Sequence, residues 1–182
     1  MENDITIGQL SRYGSRHGHP VNRRIHTITE PINMGLTLVI LGQLNLGNMF
    51  LSLGFLVYLA IVVSVIRVHI VGGLIGSLLL GGIFYGLDLF LPNTWILIGY
   101  FLAFIIANVF QQYVGHMVYE KKQPAYLTHH ENLNKFTSFW EGFSNGILYW
   151  PMMWLLRLPI YQSLKAQLIN AETELRTKDQ TP

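Results

Sequence analysis

A long stretch without a charged side chain runs from Ile32 to Ile66, and it limits what this chain can fold into. Its 35 residues are too many for one helix crossing about 30 Å of hydrocarbon at 1.5 Å per residue. Polar and helix-weakening residues cluster at Asn45, Gly47 and Asn48, so the pattern predicts two short spans with a break there. The chain is therefore expected to be a membrane protein.

Two more apolar segments follow, at Ile70–Leu91 and Thr94–Val114, and the pair Pro92–Asn93 between them is a typical helix stop. The chain is 51% hydrophobic and 12% charged, with a mean hydropathy of +0.34. These features predict an all-α fold: a polytopic membrane helical bundle with about four transmembrane helices plus interfacial and terminal helices. Small residues that let helices approach closely recur in the third span. They are Gly72, Gly73, Gly76, Gly81, Gly82 and Gly86.

We expect a single membrane domain over residues 1–182, and its predicted parts follow the chain. They are a cytoplasmic histidine motif (1–31), four spans (32–114), a second histidine motif (115–142), an interfacial helix (143–161) and a polar tail (162–182). The first residues are expected to be mobile until near Tyr13, and a short helix should run from Pro20 to Pro31. Residues 143–161 are rich in Trp and Tyr and carry two prolines, which favours the headgroup region over a fifth span.

The positive charges fix the expected orientation. With four spans, all 12 Lys and Arg residues fall on one side of the membrane, and the two opposite turns have none. The positive-inside rule then places both termini in the cytoplasm, in a bacterial inner membrane or an endoplasmic reticulum. All seven histidines fall on that same side. No soluble domain follows the basic N-terminal segment, so a nucleic-acid partner is not expected.

Two histidines lie within polar stripes of four-residue spacing, which would place each stripe on one face of a helix. A polar stripe at the edge of an apolar slab is costly unless it binds water, an ion, a substrate or its own members. The stripes are Asn22, His26 and Glu30, and Asn108, Gln112, His116 and Glu120.

Histidine and carboxylate side chains are ligands for first-row metals, and the absence of cysteine excludes thiolate sites and disulfides. A structural role is the simpler interpretation for the other histidines: His19 as a helix cap, His69 at the membrane interface, and His129 with His130 in a solvated loop. For His26 and His116, the spacing alone leaves metal binding and a structural role equally open.

Two separated motifs resemble the membrane 2-hydroxy fatty acid dioxygenase family, whose fungal member acts in the metabolism of phytosphingosine to odd-numbered fatty acids. The first is Tyr13-x3-His17-x2-Pro20-x-Asn22-x3-His26-x4-Pro31, and the second is Gln112-x2-Gly115-His116-x3-Glu120-x3-Pro124-Ala125. The segment 127–143 departs from the family pattern because it lacks a proline, so the resemblance assigns no role to His129, His130 or Glu141.

This resemblance implies an iron(II)-dependent α-oxidation in which a 2-hydroxy fatty acid reacts with dioxygen and loses one carbon. By position, the iron-binding histidines would be His17, His26 and His116. Asn22, Gln112 and Glu120 would support them, with Glu120 counted among the catalytic residues. Cations that could pair with the substrate carboxylate are Arg23, Arg24 and Lys121. Further candidate ligands are His69, His129 and His130.

Two other classes compete with this interpretation. Di-iron membrane hydroxylases and desaturases use about eight histidines in HxxHH-type boxes, whereas this chain has seven and no such box. A non-enzymatic lipid-binding or small-solute transport protein could use the polar stripes to line a cavity. No inverted repeat or matched pair of broken helices supports transport. Bound iron would distinguish the enzyme from the carrier.

Overall fold

The computed structural model describes residues 2–44, 52–90, 93–121 and 135–178, and these ranges consist of helices joined by short turns. The all-α prediction is confirmed. In chain order the elements are α1 (Glu2–Ser15), α2 (Pro20–Gly42), α3 (Leu53–Val68), α4 (Ile70–Asp88), α5 (Thr94–Val109), a π-helix (Phe110–Glu120), α6 (Lys135–Leu155), a 3-10 turn (Pro159–Tyr161) and α7 (Gln162–Lys178).

Helices α2 to α5 alternate in direction along the bundle. The Tyr58 hydroxyl of α3 donates to the Ser77 carbonyl of α4, and the Tyr100 hydroxyl of α5 donates to the Leu87 carbonyl of α4, each at 3.0 Å. The π-helix continues α5 without a turn and packs along α2. The start of α2, the α3–α4 turn and the end of the π-helix therefore meet at one end of the bundle, which we call the histidine end.

Two helices among the described residues are long and apolar enough to cross a membrane: α4, with 19 residues, and the continuous helix Thr94–Glu120, with 27 residues. Helix α3 is apolar but shorter. Large apolar side chains cover the outer faces of these helices, and α5 has no buried residue at all. Such a surface is far more apolar than an aqueous protein presents, which supports membrane association. Residues 45–51, where the break between the first two spans is predicted, lie outside the described residues.

The close helix packing predicted for the glycines of α4 is found at some of these positions and not at others. A Cβ on Gly73 would lie 2.7 Å from backbone atoms of Ile66, and a Cβ on Gly76 would lie 2.9 Å from the Ile147 carbonyl oxygen of α6. These two positions need glycine because helix backbones approach there. A Cβ on Gly82 or Gly86 would meet no described atom within 4 Å, so these two positions do not serve helix packing.

Two expectations for the N-terminal region are wrong. The first residues form α1, because its inner face packs on α6 and α7 and buries Leu10 and Tyr13. Pro31 does not end a helix but lies inside the 23-residue α2. Proline removes one backbone hydrogen bond from a helix, and α2 continues through it because its next turns are buried against α3, α4 and α5.

The C-terminal region also differs from the expected division. Helix α6 begins at Lys135 and ends at Leu155, so it covers most of the expected interfacial segment and eight residues before it. Residues 144–149 are buried, and α6 packs against α4. This helix is therefore a member of the core. Pro151 lies within it, where its ring packs close to Gly76.

Candidate metal site

Three buried histidines meet at the histidine end. His17 follows α1, His26 lies in the second turn of α2, and His116 lies in the π-helix. The ring centroids are 4.1 Å apart for His17 and His26, 4.9 Å for His26 and His116, and 5.0 Å for His17 and His116. One ring nitrogen from each histidine lies within 4.8 Å of the others. We call this group the histidine triad.

Each ring of the triad turns one unpaired nitrogen to the interior. Nε2 of His17, Nε2 of His26 and Nδ1 of His116 are buried and have no hydrogen-bond partner among the described residues. Buried polar atoms are nearly always paired, so three unpaired nitrogens in one place need an explanation. A metal ion bound by all three provides one, since a lone pair on each ring would then be used.

The environment of His17 favours the form that binds a metal. Burial lowers the pKa of His17 well below its usual value, and the neighbouring rings of His26 and His116 lower it further. The ring is therefore neutral near pH 7. Its Nδ1–H donates to the Tyr13 carbonyl oxygen at 2.7 Å, which leaves the lone pair on Nε2. A neutral imidazole with a fixed tautomer is what metal binding requires.

His26 is held by a carboxylate and an amide. Its Nδ1 lies 3.4 Å from Oε2 of Glu30 and 2.9 Å from Nε2 of Gln111. Glu30 favours a protonated Nδ1 that donates, whereas the Gln111 amide favours an unprotonated Nδ1 that accepts. A metal on Nε2 selects the first arrangement, because the lone pair must then be on Nε2.

Glu30 is itself built into the core. The Tyr13 hydroxyl donates to Oε2 of Glu30, and the Tyr13 ring stacks on His17 with centroids 4.1 Å apart. A Cβ on Gly146 of α6 would overlap the Glu30 carboxylate, so glycine is required beside it. Tyr13 and Glu30 thus connect two rings of the triad to α6.

Gln111 is a site residue that the sequence analysis missed. A four-residue α-helical stripe predicts Gln112 beside His116, whereas residues 110–120 form a π-helix. A π-helix adds one residue to each hydrogen-bonded turn, so Gln111, five residues before His116, turns to α2. There Gln111 contacts His26 and accepts a 2.8 Å hydrogen bond from Asn33. Gln112 is half-buried, and its Oε1 has no partner among the described residues.

Glu120 lies outside the triad and joins the π-helix to the start of α2. Its Oε1 accepts from the His19 backbone N–H at 2.6 Å and from Nδ2 of Asn22 at 3.3 Å. Oδ1 of Asn22 is buried without a described partner and would lie 2.2 Å from a Cβ on Gly115. Gly115 therefore allows the π-helix to approach α2 closely enough for the rings to meet.

The three predicted substrate cations occupy different positions. Arg23 donates from Nε to the His17 carbonyl oxygen at 3.1 Å, so it holds the segment that carries His17. Lys121 is exposed, has a φ of 53°, and ends the π-helix with its N–H on the His116 carbonyl oxygen. Arg24 is exposed on α2. Among the residues that the structure describes, none of these three cations lines the cavity of about 290 Å³ next to the triad.

Two of the remaining histidines cap helices. Nδ1 of His19 accepts from the Val21 N–H at 3.3 Å at the start of α2, as the capping interpretation predicts. Nδ1 of His69 accepts from the Gly72 N–H at 3.0 Å at the start of α4, and neither ring is part of the triad. His129 and His130 lie outside the described residues.

A cavity of about 290 Å³ begins at the triad and runs between α2, α5 and α6. Beyond the histidines its wall is formed by Met34, Thr37, Phe104 and Phe143, among others, and is mostly apolar. A second, much smaller cavity of about 10 Å³ lies against His17, His26 and Arg23. That volume is close to the space needed for one water molecule.

The fold and site together define a class: an all-α bundle with a buried three-histidine site at the end of an apolar cavity. A family model described as "2-hydroxy-palmitic acid dioxygenase Mpo1-like" matches residues 8–144. The chain belongs to this family, as the two sequence motifs predict. The match runs from α1 into α6 and includes the whole triad. No curated protein and no solved structure matches the chain.

Proposed function

We propose that this protein is an iron(II)-dependent dioxygenase that shortens 2-hydroxy fatty acids by one carbon. One observation carries the proposal: three buried imidazoles with unpaired nitrogens stand at the end of an apolar cavity. The donors suit a metal, and the cavity suits an acyl chain. The family description supplies the reaction type and the substrate class.

The donor set fits a first-row metal held by His17, His26 and His116. Imidazole nitrogen binds zinc, copper, nickel and iron alike, so the ligands alone do not select the element. Iron(II) is favoured over zinc because a dioxygenase needs a metal that exchanges electrons. When bound, the iron would supply the reaction of dioxygen with the α-carbon of the acid.

The protein residues around the triad would bind and orient the polar end of the substrate. Arg16 and Arg23 place positive charge near His116 and His17, and the field of these two charges would favour a substrate carboxylate. Arg23 would act through this field and through its hold on the His17 segment. The unpaired Oε1 of Gln112 is an acceptor that a substrate hydroxyl could donate to. A buried unpaired acceptor disfavours an acid without that hydroxyl.

The overall reaction needs no second reductant. Dioxygen cleaves the bond between the carboxyl carbon and the α-carbon, the carboxyl carbon leaves as carbon dioxide, and the α-carbon becomes the new carboxyl group. One molecule of water is released, which balances the atoms. The four electrons lost by the two carbons reduce the dioxygen completely, so neither 2-oxoglutarate nor ascorbate is consumed.

The test is a turnover experiment with the full chain. Iron(II)-loaded protein incubated with 2-hydroxyhexadecanoic acid and dioxygen is expected to form pentadecanoic acid, measured by mass spectrometry, with no added co-substrate. Hexadecanoic acid, which lacks the 2-hydroxyl, should give no shortened product. Absence of pentadecanoic acid from protein that holds stoichiometric iron would contradict the proposed reaction.

We also propose that α2 to α5 are four membrane spans with both termini in the cytoplasm. The alternating helix directions and the lack of Lys and Arg in the two turns at the opposite end support this topology. Because the chain has no cysteine, single cysteines can be introduced at Asn93 and Thr177 and labelled with an impermeant maleimide in intact cells. Label is expected at position 93 only, and label at 177 would contradict the topology.

A further inference from the structure

The large cavity is a channel between two antiparallel helix faces. On α2, His26, Asn33 and Thr37 line it at intervals of seven and four residues, which keeps them on one face. On the opposite wall His116 and Phe104 line it, with His116 beside His26. Because the two helices run in opposite directions, Phe104 lies at the level of Thr37. The channel thus has a histidine end and a far end formed by Thr37 and Phe104.

Two polar side chains in the far part of the channel, Thr37 and Asn108, donate hydrogen bonds within their own helices. Oγ1 of Thr37 donates to the Asn33 carbonyl oxygen at 2.8 Å, and Nδ2 of Asn108 donates to the Phe104 carbonyl oxygen at 2.9 Å. The buried oxygens of the wall without a described partner are Oδ1 of Asn33 and Oε1 of Gln112, both of them acceptors. An alkyl chain can lie against such a wall without leaving a donor unpaired.

The length of the channel corresponds to a fatty acyl chain. His26 and Thr37 are eleven residues apart on α2, which is about 16 Å at 1.5 Å per residue. An extended alkyl chain advances roughly 1.25 Å per carbon, given C–C bonds of about 1.5 Å. The channel therefore holds roughly a dozen carbons, and the last carbons of a sixteen-carbon acid would leave past Thr37 and Phe104.

Helix α6 forms the third wall of the channel, and Gly142 is the position in that wall where no side chain fills the space. Helix α6 is antiparallel to α4, and α4 is parallel to α2, so α6 runs antiparallel to α2. Gly146 of α6 packs on Glu30 of α2. Gly142 comes one turn before Gly146 in α6, and it therefore lies one turn further from the triad. It lines the channel, and a Cβ there would meet no described atom within 4 Å. A larger side chain at this position would project into the channel.

We propose that the acyl chain of the substrate lies in this channel, with its carboxyl end at the triad and its methyl end beyond Thr37 and Phe104, and that Gly142 sets the length of chain admitted. This inference rests on the proposed function for the identity of the ligand. It assigns a specificity role to a glycine of α6 that lies outside the two family motifs, which span residues 13–31 and 112–125. Short 2-hydroxy acids would end before Gly142, whereas long ones must pass it.

The test compares binding of a long and a short acid by calorimetry with iron(II)-loaded protein in lipid nanodiscs, without dioxygen. Gly142→Leu is expected to weaken binding of 2-hydroxyhexadecanoic acid by at least about tenfold, because the leucine occupies space that the chain needs. Binding of 2-hydroxyhexanoic acid should change by less than about twofold. The matched control is Gly82→Leu, since Gly82 is an exposed helix glycine with equally open surroundings, and it should change neither value.

The outcomes separate this inference from the proposed reaction. Equal binding of the long acid by Gly142→Leu and wild type, or equal losses for both acids, would overturn the role of Gly142. If wild type binds the long acid and Gly142→Leu does not, the channel assignment stands even when air yields no pentadecanoic acid. In that case only the proposed reaction fails. Gly142→Ala is the folding control, and it should fold and bind the long acid like wild type, because alanine is a better helix former and its side chain fits the open space.

Discussion

His116→Ala is expected to remove nearly all bound iron while leaving the protein folded and inserted. The variant deletes one of three proposed ligands, and the remaining two histidines are expected to lose the ion in competition with ligands from the buffer. The fold should survive because His116 makes no hydrogen bond with Nδ1 among the described residues and is one small part of a helix that packs along α2. Metal analysis after anaerobic loading is expected to give less than about a tenth of the wild-type iron, as loss of a metal ligand commonly does.

The control for this variant is His69→Ala. His69 is also a buried histidine at the histidine end, but it caps α4 and is not part of the triad. Loss of the cap is expected to lower the free energy of unfolding by about 1 kcal/mol and to leave the iron content unchanged. Wild-type iron content in His116→Ala would show that the triad is not the metal site, and loss of iron in His69→Ala would show that iron loss is not specific to the triad.

Glu30→Gln is expected to weaken iron binding by about 10- to 100-fold, the range typical for a residue that orients a metal ligand. The carboxylate accepts from the Tyr13 hydroxyl and stands 3.4 Å from Nδ1 of His26. Both donors reach Oε2, so an amide oxygen in its place would still accept from them, but it has no negative charge and is a weaker acceptor than the carboxylate. The preference of the His26 ring for a protonated Nδ1, which leaves the lone pair on Nε2 for the metal, is then reduced. Competition with a chromophoric chelator measures the change.

The matched control is Glu172→Gln. Glu172 is another largely buried glutamate that hydrogen-bonds a tyrosine, Tyr149, but it lies on α7, and burial raises its pKa. Its substitution should leave iron affinity within about twofold of wild type, since it contacts no ring of the triad. An unchanged affinity in Glu30→Gln would exclude the orienting role of Glu30, and an equal loss in both variants would indicate a general effect on the fold.

The convergence of His26 and His116 can be predicted from the sequence, because the number of apolar segments between them gives the number of helices and hence their directions. His26 lies before the first predicted span and His116 at the end of the fourth, and an even number of helices returns the chain to the same end. The structure brings the two rings together, with centroids 4.9 Å apart. His17 joins them because α1 folds back on α6 and α7, a contact that no local pattern in the first residues indicates.

Other parts of the site depend on packing that local sequence rules do not capture. The π-helix turns Gln111 to His26, whereas the predicted stripe contained Gln112, and the apolar periodicity of the sequence does not indicate this extra residue per turn. Pro31 is an ordinary helix breaker by its own chemistry, yet burial of the turns that follow it keeps α2 continuous. Gly115 and Gly146 are required by Asn22 and Glu30, which are distant in the chain.

Three imidazoles are proposed to hold one metal ion, and X-ray absorption at the iron edge of the loaded wild-type protein measures those ligands. We expect one iron per chain, with the multiple-scattering pattern of three imidazoles and nitrogen ligands at about 2.1 Å. A spectrum with oxygen ligands only, or with no imidazole scattering, would contradict it.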